Sequence, residues 1–322
     1  MENAAAVMLG RPISLPDEEV DVEYPDIIDD WSSTEGALAS LTKPTVAMSM
    51  AVHGFRYRRL LGRIHTSLYS KRALADVTGN SAAVSIELLR TELETWKAST
   101  PSLVPLSGQA LSFFTTKDGF DTDYYYAILL LYRVQIIKSN EASRSAFFNC
   151  LQAAENILHA YRDQFIGRPT CYTWVALYEI ILAGLTYLHC IWTSPDIRQT
   201  TRPDQVSSVC TDCTVVLVVM AEKWAAAAPY RDIFEALANR TMTMITDARY
   251  GESGLPSVFT ESVDPDVETL MQWRTDIPHT GISDEIDSLL ACLVGDQPSG
   301  MQAGNNEESY DGDHLRNSHI WN

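Results

Sequence analysis

The sequence predicts an all-α protein built of long antiparallel helices, followed by an acidic, partly disordered C-terminal tail. Apolar residues recur at three- and four-residue intervals over several long segments, the signature of helices with one buried face. Proline and glycine fall between those segments rather than inside them. No stretch of any length alternates apolar and polar residues with the period of two that a strand requires.

The elements follow in order. Met1–Leu9 reads as the last turns of a helix, stopped by Gly10 with Pro12 just beyond it. Arg11–Trp31 is acidic and proline-punctuated without helical period, an irregular exposed stretch, and Ser32–Pro44 is a small, polar loop. From Thr45 the pattern turns helical: Val46, Met50, Leu60, Leu61, Ile64 and Leu68 share a face, with Arg56, Arg58, Arg59 and Arg63 around it. Asn80 suits the N-cap of a helix carrying Val84, Leu88, Leu89, Leu93 and Trp96 and ended by Pro101. Tyr124–Ile137 reads as a mostly buried helix, and Ser143–Gln164 repeats an apolar stripe through Phe147, Cys150, Ala154, Ile157 and Tyr161.

Trp174–Trp192 is the most apolar segment and approaches the length of a membrane span. Glu179 and His189 inside it are costly in lipid, and no asymmetry of Lys and Arg flanks it, so it reads as the central helix of a folded core. Asp204–Trp224 and Pro229–Thr246 continue the series, with Pro229 suited to a first helical position. After Gly-, Pro-rich sequence from Gly251, Ser283 can cap a short helix, Asp284–Val294, in which acids alternate with Ile286, Leu289, Leu290 and Leu293. The remainder from Gly295 has a disordered composition.

The net charge of −18 argues against capture of a phosphate backbone by bulk charge. It is unevenly spread: residues 1–36 hold ten acids and one base, residues 261–322 thirteen acids and two bases, and 37–260 the remaining 19 acids and 21 bases. The body is thus nearly neutral, at +2, and both ends are acidic.

Catalytic and metal chemistry find little support. The six cysteines (150, 171, 190, 210, 213, 292) mostly lie in apolar helical patterns, and no signal-peptide core precedes them, which predicts reduced thiols in an intracellular protein. Cys210-x-x-Cys213 is half of a zinc spacing without a second pair. Asp26-Ile-Ile-Asp29-Asp30 is the sole candidate for a magnesium–diphosphate cluster and lacks a downstream partner motif. Seven scattered histidines and the absence of phosphate-loop, zincin or nucleophile-elbow motifs predict no catalytic residues, no metal ligands and no enzyme. The Arg56–Arg63 cluster, with Phe55 and Tyr57, reads as a solvated face or a partner for acidic segments of the chain rather than a DNA contact.

Leu9–Pro25, opening on Gly10-Arg11-Pro12 and continuing through Ile13, Asp17, Asp21 and Pro25, closely resembles the end of the middle homology region of fungal binuclear zinc-cluster transcription factors. Phe55–Ser70, Ile86–Trp96, Thr173–Pro195 and Ala221–Thr246 resemble the helical block that follows it, so the resemblance spans roughly residues 8–250. It implies three parts: 1–36, the end of the middle homology region with an acidic loop; 37–250, a helical regulatory domain; and 251–322, an acidic tail containing a candidate activation helix, 284–294.

The family's six-cysteine DNA-binding cluster has no counterpart here, so the chain is expected to be the C-terminal half of such a regulator, with zinc and DNA contact belonging to a domain it lacks or to a partner. The resemblance implies transcription regulation in the nucleus, with coactivators or a DNA-binding protein as partners, a small-molecule effector as a further partner class, and neither direct nucleic-acid nor membrane contact. In this reading Ile286, Leu289, Leu290 and Leu293 anchor the tail helix in a coactivator groove, and the acids steer its approach. A packed terminal helix is the competing reading of the same four residues. A helical scaffold binding a hydrophobic effector is the second class of function, and an all-α enzyme the third.

Overall fold

The computed structural model describes residues 2–8, 20–25, 46–70, 80–101, 116–138, 142–165, 173–250 and 284–294. Among them are ten α-helices and no strand: α1 Glu2–Met8, α2 Val46–Tyr69, α3 Asn80–Ala98, α4 Lys117–Lys138, α5 Arg144–Phe165, α6 Trp174–Thr193, α7 Pro195–Thr200, α8 Pro203–Lys223, α9 Ala228–Tyr250 and α10 Asp284–Val294. The Gly10-Arg11-Pro12 motif, the Asp26–Asp30 cluster and the tail beyond Val294 lie outside the described residues.

Boundaries follow capping chemistry. The Ser143 hydroxyl accepts from the Ala146 amide at 3.2 Å and starts α5, and the Thr173 hydroxyl accepts from the Ala176 amide at 3.2 Å and starts α6. α4 begins at Lys117 rather than Tyr124, because the Thr116 hydroxyl accepts from the Gly119 amide at 3.1 Å and the buried Phe120 continues the apolar face one turn earlier. The sequence pattern also passed over α7, a six-residue helix set between the Ser194 cap and Thr201. It is too short to show periodicity.

α6 is the hub. It packs against α4, α5, α7, α8, α9 and α10, while α2, α3 and α4 pack on one another and α1 on α2. One apolar core joins them, from Val7 and Met8 near the start of the chain to Leu290 and Leu293 in α10. α6 and α8 are both long and apolar enough to cross a membrane. Of the most apolar 18-residue window, 89% is buried inside the protein in α6 and 44% in α8.

Several polar groups carried into this core bridge its helices. The His189 Nε2 lies 3.2 Å from the Ile136 carbonyl. The Trp192 indole donates to Thr241 Oγ1 at 2.7 Å, and that hydroxyl in turn donates to the Leu237 carbonyl. Asp212 on α8, 4% exposed, accepts from Arg162 Nε at 3.0 Å and is paired with His159 Nδ1, tying α8 to α5. Gly184 sits where α6 meets α8 and α9: a Cβ there would come within 2.7 Å of the Phe234 ring and 2.9 Å of Cys213 Sγ.

α3 departs from the expected stripe. Ile86, Leu89, Leu93 and Trp96 are buried, whereas Val84 and Leu88 are 59% and 61% exposed. The face turned toward α2 and α4 runs through 86, 89, 93 and 96, and positions 84 and 88 fall on the opposite side of the helix.

Candidate functional site

α10 is the candidate site that the sequence singled out, and its geometry is specific. Ile286, Leu289, Leu290 and Leu293 follow the i, i+3, i+4, i+7 spacing of one helix face, and they are 0%, 0%, 2% and 1% exposed. α10 packs against α6, and all four side chains belong to the common core. Ser288 points outward and Cys292 is half-buried.

An isolated helix of this length does not persist in water. Its stability comes from the four aliphatic side chains, about 1.5–3 kcal/mol each on burial. Its place in the fold therefore depends on packing against α6.

A second cluster lies at the junction of α2, α4, α5 and α6. The Tyr161 hydroxyl donates to the Glu179 carboxylate, and Arg58 and Asp123 interact electrostatically with Glu179. Burial pushes the Glu179 and Asp123 carboxyls each up to about 7, against the opposing pull of the Arg58 guanidinium. The Tyr57 hydroxyl, buried beside them, has no hydrogen-bond partner among the described residues and is pushed well above the ordinary tyrosine range by that burial. Glu179 showed in the sequence as a charge inside an apolar run. Arg58, Asp123 and Tyr161 carried no such signal, because helical periodicity does not say which residues of different helices meet.

This cluster gives stability a pH dependence. A carboxyl protonated in the folded state up to about pH 7, but ionised when unfolded above about pH 4.5, stabilises fully at low pH. That stability is lost as pH rises toward 7, by about 3 kcal/mol for a shift of this size. Glu179→Gln is expected to flatten the decline and to exceed the wild type in urea midpoint at pH 8 while matching it at pH 5. An unchanged slope between those pH values would contradict the assignment.

The remaining candidates are structural. His53 stacks on Trp96 with ring centroids 4.5 Å apart, and burial with the nearby Arg56 charge lowers it to about 4. Cys210 and Cys213 are buried in α8, and burial pushes the Cys210 thiol up to about 12. Among the described residues, no group of three or more His, Cys, Asp or Glu side chains gathers as a metal site would. Two clefts are present among those residues. One, of about 430 Å³ between α4 and α5, is lined by Asp118, Asp121, Tyr125, Asn156, His159 and Asp163. The other, of about 470 Å³ between α2 and α3, is lined by Arg56, Arg59, Arg63, Glu92 and Trp96.

Residues 1–98 match the family described as the fungal specific transcription factor domain. The chain is 24% identical over 281 residues to the positive regulator of purine utilization of Emericella nidulans, covering 73% of this chain and 26% of that protein. It is 24% identical over 196 residues to pyrimidine pathway regulatory protein 1 of Saccharomyces cerevisiae, 56% of this chain and 20% of that protein. Over 148 residues it is 31% identical to the transcriptional activator protein acu-15 of Neurospora crassa, 42% of this chain and 15% of that protein. The chain thus spans about a quarter or less of the curated relatives it matches. No solved structure is significantly similar to it.

Proposed function

We propose that this chain is the helical regulatory module of a nuclear transcription regulator, a reading supported by the match of residues 1–98 to the fungal specific transcription factor domain and by the similarity to three fungal regulators. DNA is contacted elsewhere, by another segment of the regulator or by a partner protein. The module's output element is α10. Docked on α6, it hides Ile286, Leu289, Leu290 and Leu293; undocked, it presents the same four side chains, in a segment that also holds three acids, to the groove of a coactivator.

The observation that supports this reading is the complete burial of the four anchors in an 11-residue helix, a length that does not persist in water away from the body of the protein. A ligand or partner with a few kcal/mol of preference for either state of α10 is enough to shift the population.

Fusing residues 261–322, and separately the full chain, to a heterologous DNA-binding domain in front of a reporter gene tests it. The isolated tail is expected to activate several-fold more strongly than the full chain, and to lose that activity on Leu289→Ala with Leu290→Ala. No activation by the tail would overturn the assignment of α10 as the output element. Equal activation by both fusions would overturn the masking.

A further inference from the structure

The Asp123–Glu179–Arg58 cluster sits on a seam between two parts of the fold. α1 packs on α2 and α2 on α3, and among the described residues this three-helix unit meets the rest of the chain chiefly through α4. Tyr57 and Arg58 come from the α2 side of the seam, whereas Asp123 and Tyr126 come from α4, Tyr161 from α5 and Glu179 from α6. Glu179 is 7% exposed, and Tyr57, Tyr126 and Tyr161 are 1%, 1% and 3% exposed. The Tyr161 hydroxyl donates to the Glu179 carboxylate, and the Arg58 guanidinium lies 5.4 Å from the centre of the Tyr57 ring.

The cluster is one positive charge short. Arg58 faces both carboxyls, and the Tyr57 and Tyr161 hydroxyls stay protonated because burial pushes each well above the ordinary tyrosine range. Fully ionised, these groups leave a net charge of −1 in the junction, and a buried charge without a partner is costly. One bound proton leaves a carboxylate paired with Arg58 and a neutral carboxyl beside it. Burial raises Asp123 and Glu179 alike, and each raises the other.

Other polar contacts across the seam join a donor to an acceptor: the Tyr69 hydroxyl to the Leu130 carbonyl at 2.7 Å, Arg90 Nη2 to the Tyr124 hydroxyl at 3.2 Å, and Lys97 Nζ to Asp121 at 3.7 Å. His53, packed against Trp96 and Phe120, is held neutral above about pH 4 by burial and the Arg56 charge.

We propose that Asp123 and Glu179 share one proton while the α1–α3 unit is seated on the body, and that loss of this proton loosens the seam. Seating is complete at low pH and weakens as pH rises through the neutral range, the direction required of carboxyls whose folded state favours the proton. The response is local, since α8 and α9 contribute no member to the cluster.

Hydrogen exchange of the full chain at pH 6 and pH 8.5, corrected for the intrinsic exchange rate, tests it. Protection of the α2 and α3 amides is expected to fall by about ten-fold or more between the two pH values, and that of the α8 amides by less than about two-fold. Asp123→Asn and Glu179→Gln, which keep the shapes of the side chains, should each abolish most of the α2–α3 fall, and the double variant should abolish no more, because one proton serves both positions. Protection of α2 and α3 that is unchanged between the two pH values overturns the proposal. An equal fall in α2, α3 and α8 overturns the seam as the responding element. Single variants that each remove half of the fall and add in the double variant mean two independent protons, and overturn the sharing.

Discussion

Gly184→Ala is expected to destabilise the protein by about 2 kcal/mol, although alanine in a helix interior is ordinarily better than glycine by about 0.5–1 kcal/mol. The sign is decided by space. The added methyl meets the Phe234 ring at 2.7 Å and Cys213 Sγ at 2.9 Å, and those two side chains are 1% and 0% exposed. Neither is the free end of a flexible chain, so α6 must move away from α8 and α9, and contacts close to optimal separation are lost along the junction.

Pairing the change with Phe234→Leu relieves the ring contact. In urea titrations the double mutant is expected to lose less than the sum of its single mutants, the coupling of residues that touch. A Gly184→Ala protein as stable as the wild type would show that the junction is looser than its geometry implies.

Leu289→Asp with Leu290→Asp is expected to have an even larger local effect. Both leucines are buried, at 0% and 2% exposed, and an unpaired carboxylate in that position costs several kcal/mol unless the helix leaves the core. A helix this short, held by that packing, leaves the core rather than bury two carboxylates. Residues 284–294 should become sensitive to protease and the apolar surface of α6 should bind a hydrophobic dye, while far-UV circular dichroism retains the signal of the other helices. In the reporter assay the same variant exposes the segment without the two central anchors, so activation stays at background. Activation above the wild type would mean that undocking alone, and not the leucines, produces the output.

Much of this architecture was legible in the residues. Helices longer than about five turns repeat the 3.6-residue pattern often enough to define themselves, and the structure adds the Ser143 and Thr173 caps and Pro203 at the start of α8. What the pattern leaves open is which partner covers a face. Val84 and Leu88 belong with Leu89 and Trp96 by composition, and only the placement of α2 and α4 turns one set inward and the other out.

The same gap governs α10. The i, i+3, i+4, i+7 spacing of Ile286 to Leu293 is identical whether the helix rests on its own body or in a partner's groove, because both bury the same stripe. Its sequence therefore predicted an anchor set, and the structure adds where that set rests: on α6. The Asp123–Glu179–Arg58 cluster was hidden for a related reason, since its members come from three helices far apart in sequence.

Hydrogen exchange at the backbone amides of residues 284–294 in the intact chain tests the central claim most directly. Held on α6, these amides are expected to exchange at least a hundred-fold more slowly than in a free peptide of the same sequence, and to reach the free-peptide rate in the Leu289→Asp, Leu290→Asp chain. Exchange of the wild-type segment at the free-peptide rate would contradict the claim, because a helix that is never held cannot be released.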